Sequence, residues 1–267
     1  MKRNIYIVLS LLIIALLFNA CKNNPTASTP NNGTGSSYFP NGDGTNYKYS
    51  IVQTDSAKNQ TSGTRSATYS GTTIRGSITY QNEIDTIQFS LFSAVTRSLF
   101  VKNYNNNNAV MISIDTTGFS DLVPDTLRQY ISMDQNITIF QFPFQSGSTW
   151  PVFNMSLKLG VLSINLVSVT ANYIGTEQVA LNLTSGNVTQ TAARIQYTLK
   201  LTIPNPNNIF AAPLTSTYLA TAWVADNIGI IKVQGNSTLL DAFTGLGINF
   251  ADTTSTITQS LISYNIK

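Results

Sequence analysis

The chain has no histidine, one cysteine and few charges. Without histidine it lacks the commonest general base and metal ligand, and neither a Ser-His-Asp nor a Cys-His arrangement can be built. That argues against most hydrolase mechanisms, and the chain reads as a non-enzyme with no cofactor. Cys21 alone cannot form a disulfide within the chain, so stability is expected from core burial. Charged residues make up only 10% of the sequence, low for a globular protein; Asn, Thr and Ser supply the solvated surface instead. Lys and Arg are scattered singly, with no basic stripe, so nucleic acid is not an expected partner. Setting aside Lys2 and Arg3, the remaining formal charge is +1, too small to steer the reading.

What the chain does have is a strongly patterned start. Lys2 and Arg3 precede an apolar run from Ile5 to Phe18, and Asn19-Ala20 then places a small residue directly before Cys21. This is secretory signal architecture over residues 1–20, and an apolar run of about 14 residues is short for a spanning helix, which needs about 20. Leu17-Phe18-Asn19-Ala20-Cys21 resembles a loose bacterial lipobox. That resemblance implies that Cys21 is lipidated and becomes the mature N-terminus, making the membrane the first expected partner. The alternatives are cleavage by a general signal peptidase, leaving an ordinary cysteine, or an uncleaved anchor. Lys22 to Ser37 has almost no apolar content, so residues 21–37 read as a lipidated cysteine and flexible tether. By resemblance to Gram-negative lipoproteins, Lys22 in place of Asp after the cysteine implies the cell envelope, at the outer membrane.

From residue 38 to 267 the dominant period is two. Ile195, Tyr197, Leu199, Leu201 and Ile203 alternate with Arg194, Gln196, Thr198, Lys200 and Thr202, the pattern of a half-buried strand. Ile87, Phe89 and Leu91 alternate likewise, as do Val179, Leu181 and Leu183 ahead of a turn at Thr184–Asn187 that leads into the Arg194 strand as a hairpin. Between Trp150 and Val169 the apolar phase switches, which requires a bulge or tight turn near Gly160. Further strands are expected at Tyr47–Thr54, Thr64–Ser70, Thr72–Tyr80, Ser98–Tyr104, Ala109–Ile114, Asn136–Phe142, Thr217–Ala225, Ile228–Gln234 and Ser255–Ile266. Val123–Met133 alone hints at helix, with Pro124 near its start and Leu127, Tyr130 and Ile131 on one face. The expectation is an all-β, antiparallel domain with at most one short helix near 123–133. One continuous domain is favoured over a split near Pro143–Thr149.

Each candidate for chemistry has a plainer reading beside it. Asn41–Thr45 resembles the start of a calcium loop, but Asn46 replaces its Gly and Val52 its bidentate Glu, so a β-turn is expected. Asp115, Asp121, Asp125 and Asp134 form the densest acidic group without the spacing of a recognised calcium loop, and read as solvated carboxylates. Glu177 falls in phase with Val179 and Leu181, which would turn it inward unless the strand starts later or an Arg pairs with it. Trp150 and Trp223 read as core aromatics, with a cavity lining as the alternative.

Tyr38-Phe39-Pro40, a Gly-containing turn and Tyr47-Lys48-Tyr49 resemble the opening of a group of uncharacterised envelope lipoproteins. Phe144–Trp150, Gly175-Thr176-Glu177 and Ala222–Lys232 continue that pattern in order. The group often has Trp where Tyr47 stands and a "VPAG" turn where Val179-Ala180-Leu181 stands. The resemblance implies a periplasmic lipoprotein-carrier-like fold, a large curved antiparallel sheet closing into a barrel or half-barrel, and carries no catalytic residue. The functional expectation is a lipid-anchored envelope protein whose non-catalytic β domain binds an envelope partner or supports structure. Its alternative is a carrier or sensor of an apolar ligand or lipid.

Overall fold

The computed structural model describes residues 35–89, 94–104, 108–113, 129–203, 212–237 and 254–267. These build one antiparallel sheet of thirteen strands, as the alternating pattern requires. Its first half holds β1 (Asn46–Thr54), β2 (Gln60–Arg75), β3 (Ile78–Phe89), β4 (Val95–Tyr104), β5 (Ala109–Ser113), β6 (Ile131–Met133) and β7 (Asn136–Gln141). The second half holds β8 (Thr149–Leu159), β9 (Leu162–Leu183), β10 (Gly186–Ile203), β11 (Leu214–Ala225), β12 (Gly229–Asn236) and β13 (Thr256–Asn265). The lateral order is β6-β8-β9-β10-β11-β12-β13-β1-β2-β3-β4-β5-β7. The sheet curves until β7 lies beside β8 without a ladder between them, so it is a half-barrel. Side chains bridge that seam: the Trp150 indole donates to the Thr138 carbonyl at 3.2 Å, and the Tyr197 hydroxyl donates to the Ile139 carbonyl at 2.8 Å.

The core sits on the concave face. On β10 the inward set Ile195, Tyr197, Leu199 and Leu201 is buried, while Lys200 is exposed and its outward neighbours are only partly covered. Tyr47, Tyr49, Tyr69, Tyr197, Phe39, Phe140, Phe153 and Trp150 are all fully buried, and together they fill the interior. Each such aliphatic or aromatic side chain contributes on the order of 1.5–3 kcal/mol by leaving water.

The phase switch near Gly160 is a two-residue turn, Gly160-Val161, closing Leu159 on Leu162. Gly160 takes φ 61°, a value that costs glycine least. Likewise Thr184-Ser185 closes β9 on β10. Two expectations are corrected. Thr72–Tyr80 is not one strand, because Gly76-Ser77 turns the chain between β2 and β3. Val123–Met133 is not a helix throughout: Gln129-Tyr130 is a turn and Ile131–Met133 is β6, paired to β8. Residues 121–128 lie outside the described set, as does Leu91. A four-residue helix, α1 (Gly35–Tyr38), instead begins inside the stretch read as tether.

The β9–β10 hairpin is longer than its neighbours need. Opposite Arg194 and Ile195, β9 carries Ile174 as an extra residue, a bulge. Beyond it, Glu177 pairs with Ala192, Val179 with Gln190 and Leu181 with Val188. These positions share the face of Arg194, the outer one. Val179 and Leu181 are nonetheless buried, because this distal arm lies over the outside of β11–β13. Thr184 N donates to the Ile262 carbonyl on β13 at 2.8 Å, and Ala222–Ala225 beneath the arm are buried on both faces.

Candidate functional site

Two groups of charged side chains stand out, one inside the sheet and one outside. Inside, Arg65 and Tyr69 project from β2 in phase with Ala67, and Glu83 and Asp85 project from β3 in phase with Ile87 and Phe89. The register sets Tyr69 opposite Glu83 and Ala67 opposite Asp85. Arg65 Nε donates to Asp85 Oδ1 at 2.6 Å and its Nη2 to Glu83 Oε1 at 2.9 Å, with all three side chains fully buried. The Tyr69 hydroxyl donates to Glu83 Oε2 at 3.0 Å, and the Arg65 guanidinium lies 5.3 Å from the Tyr49 ring centroid. Burial by itself disfavours the Arg65 charge, but Asp85 and Glu83 turn the net shift upward. Burial, reinforced by Glu83, pushes the Tyr69 hydroxyl well above its ordinary range, so it stays a donor. One guanidinium thus engages both carboxylates in the solvent-excluded interior, an arrangement that the observed register of β2 on β3 makes possible.

Outside, Arg194 on β10, Trp223 on β11 and Lys232 on β12 are direct cross-strand neighbours. Lys232 Nζ sits 4.6 Å from the Trp223 ring centroid, and the Trp223 indole donates to Glu177 Oε2 at 3.0 Å. Arg194 Nη1 reaches the same Glu177 oxygen at 3.4 Å, while Arg194 Nε is buried without a hydrogen-bond acceptor. Glu177 is therefore on the outer face, with 45% of its side chain exposed, and Arg194 is its partner. The inward reading of Glu177 is overturned because the bulge at Ile174 gives the distal arm the outer face to bury.

The remaining sequence candidates fall elsewhere. Cys21, Asp115, Asp121 and Asp125 lie outside the described residues. Asn41–Thr45 is a turn, Thr45 N donating to the Gly42 carbonyl at 3.0 Å; Asp43 Oδ1 caps the Gly71 amide of the β2 bulge at 2.6 Å. Asp134 accepts from the Asn154 amide at 2.8 Å and so ties β8 to the start of β7. Trp150 is core, in an aromatic group at one end of the half-barrel. There Tyr38 stacks on Phe142 at 5.7 Å, Phe142 meets Phe144 at 4.6 Å, and Phe144 stacks on Tyr173 at 5.5 Å. Burial, then Asp226 and Tyr173, push the Tyr38 hydroxyl up to about 12.

The interior ion group is not among the sequence candidates, although the alternation carries its signal. Arg65 is two residues out of step with nothing: it shares the phase of Ala67 and Tyr69, as Glu83 and Asp85 share that of Ile87 and Phe89. Extending the inward phase backward through polar residues would have found all three.

No family model matches the chain, and no curated protein matches it. Solved structures similar to it include a Bacteroides fragilis protein with a YmcC-like fold, inferred to be exported. It is 13% identical, covered over 98% of its length against 85% of this chain, with a TM-score of 0.46. An inferred lipoprotein from Parabacteroides distasonis is 12% identical over the same shares, with a TM-score of 0.44. The hypothetical lipoprotein YmcC from Escherichia coli is 11% identical over 81% of this chain and 84% of its own, with a TM-score of 0.33. At these scores the backbones superpose only in part.

Proposed function

We propose that this is a lipid-anchored protein of the cell envelope, held at the outer membrane through Cys21, whose β domain is non-catalytic and serves a binding or structural role. The observation that carries the reading is the occupied interior. Eight large side chains, Tyr47, Tyr49, Tyr69, Tyr197, Phe39, Phe140, Phe153 and Trp150, are fully buried there. The carboxylates beside them are held by Arg65. A half-barrel filled by its own side chains favours a packed display domain over a carrier of an apolar ligand. The signal-like residues 1–20 and the polar stretch 22–37 supply the address and the leash. Two acyl-type signals make membrane binding stable where one is marginal.

Replacing Cys21 by Ala is the direct test. The variant is expected to move from the membrane fraction to the soluble envelope fraction. Retention in the membrane fraction through a high-salt and carbonate wash would overturn the anchor.

A further inference from the structure

We infer that Gly35–Pro40 is a withdrawable plug, which leaves and re-enters one end of the half-barrel as a unit while the sheet stays folded. When it is out, Phe140, Phe142 and Phe144 are uncovered. The opening itself does not depend on the reading of Cys21 as the anchor; that reading supplies what pulls on the plug.

The first support is where the segment sits. β6 pairs with β8 and β7 with β5, so the chain leaves β8 between Met133 and Asn136. Beyond that point no ladder joins β7 to β8 among the described residues. Rings occupy this end instead. Tyr38 lies 5.7 Å from Phe142 and 5.2 Å from Phe144, while Phe39 lies 5.8 Å from Phe140 and 6.5 Å from Tyr69. Both plug side chains are buried.

The second support is how the segment is held. α1 is a single turn, too short to be stable alone in water, and Gly35–Pro40 pairs with no strand among the described residues. Its backbone is clasped by Asn227 N, which donates to the Ser37 carbonyl at 2.8 Å, and by the Tyr47 hydroxyl, which donates to the Pro40 carbonyl at 3.0 Å. Just after it the chain is fastened to the sheet. Gly44 N donates to the Tyr69 carbonyl at 2.9 Å, and Gly71 N donates to Asp43 Oδ1 at 2.6 Å. The boundary between plug and fixed wall therefore falls at Asn41-Gly42, and β1 keeps both its ladders when the plug leaves. Drawn out, the six residues lengthen the link to the domain by up to about 20 Å.

The third support is a flaw in the seat. Asp226 precedes Asn227 in the turn that clasps the plug, and its Oδ1 is buried with no hydrogen-bond donor. Its charge stands near enough to Tyr38 to help push that hydroxyl's pKa up. A buried carboxylate oxygen without a donor costs free energy, and withdrawing Tyr38 returns it to water. Seated and open states are thus closer in free energy than two buried rings alone would make them.

The test is amide hydrogen exchange, read by NMR on the mature chain, residues 21–267, with Cys21→Ser. Asn227 reports the plug, and Tyr197, in the middle of the β10 ladders, reports the sheet. Asn227 is expected to exchange at least about 100-fold faster than Tyr197 and to respond little to dilute urea, because little surface opens. Asp226→Asn keeps the size of the side chain, removes the charge and adds a donor. It should slow Asn227 about tenfold once intrinsic rates are corrected. Tyr38→Ala should speed it by at least about tenfold, which fraying of the turn alone would not do. Exchange of Asn227 at the rate and urea dependence of Tyr197 would overturn the inference, as would an unchanged Asn227 rate in either variant. Should Tyr38→Ala fail to fold, the wild-type and Asp226→Asn rates still decide. The tested chain carries no lipid, so failure of the anchor in cell fractionation leaves the plug standing, and failure of the plug leaves the anchor.

Discussion

The two long hairpins use charge in opposite ways. β2–β3 presents Ser62, Thr64, Ser66 and Thr68 to solvent and buries Arg65, Glu83 and Asp85. β9–β10 buries Val167, Val169, Ile195, Leu199 and Leu201 and presents Arg194, Lys200 and Glu177 outside. Both obey the same period of two, so the alternation assigns faces in each. It does not say what kind of residue a face will tolerate. An apolar interior holds any two hairpins that cover it, whereas the Arg65 group satisfies its charges only when β2 and β3 meet in one register. Registry is the best-attested use of a buried ionic group, and here the group sits next to a β2 bulge at Ser70-Gly71, where a slip would be cheapest.

The largest expected effect is in the first hairpin. Arg65→Met leaves two carboxylates in the interior without their guanidinium and should cost about 3–5 kcal/mol in urea unfolding. Arg65→Met combined with Glu83→Leu and Asp85→Leu removes the charge altogether and should regain most of that loss. If the triple variant is no better than the single one, the contrast between the hairpins is one of packing and not of charge.

An intermediate effect is expected at alkaline pH. Tyr38 is raised from 10.0 to about 12, so in that window the folded state keeps a proton that the unfolded chain has released. Its contribution is complete below pH 10 and is lost as pH rises toward 12. Tyr69 and Tyr197 act in the same direction, through burial. The urea midpoint should therefore fall across this window while tyrosinate absorbance lags behind that of the unfolded chain; a midpoint that holds steady would count against the sealed aromatic interior.

The smallest effect is on the second hairpin's outside. Glu177→Gln breaks a pair whose side chains are 45% and 43% exposed, and should change stability by less than about 1 kcal/mol. A loss as large as that of Arg65→Met would erase the distinction between inside and outside charge.

Much of the sheet was legible because local pattern and tertiary demand agreed. The Ile195–Leu201 phase, the turn at Gly160 and the Thr184-Ser185 hairpin all follow from side-chain period and turn chemistry. The Gly76-Ser77 turn was equally available, but β-prone residues on both sides mask it when glycine is read as a strand interior. Ile131–Met133 was not available. Three residues carry too little pattern to outweigh the helical spacing of Leu127, Tyr130 and Ile131, and only pairing to β8 makes them a strand. The exterior placement of Glu177 depended on one extra residue, Ile174, whose effect is to hand the opposite face to the core.

An all-β antiparallel domain behind a signal-like start, and the inward-turning residues of most strands, are already written in the order of the residues. Those are properties of period two, turn residues and composition, and they need no partner. The curling of the sheet into a half-barrel with a side-chain seam, the meeting of Arg65 with Glu83 and Asp85 inside it, and the covering of the outside of β11–β13 by the β9–β10 arm arise only in the folded chain. Each of these joins residues that are distant along the chain, and their meeting is set by register and curvature, which alternation alone does not encode.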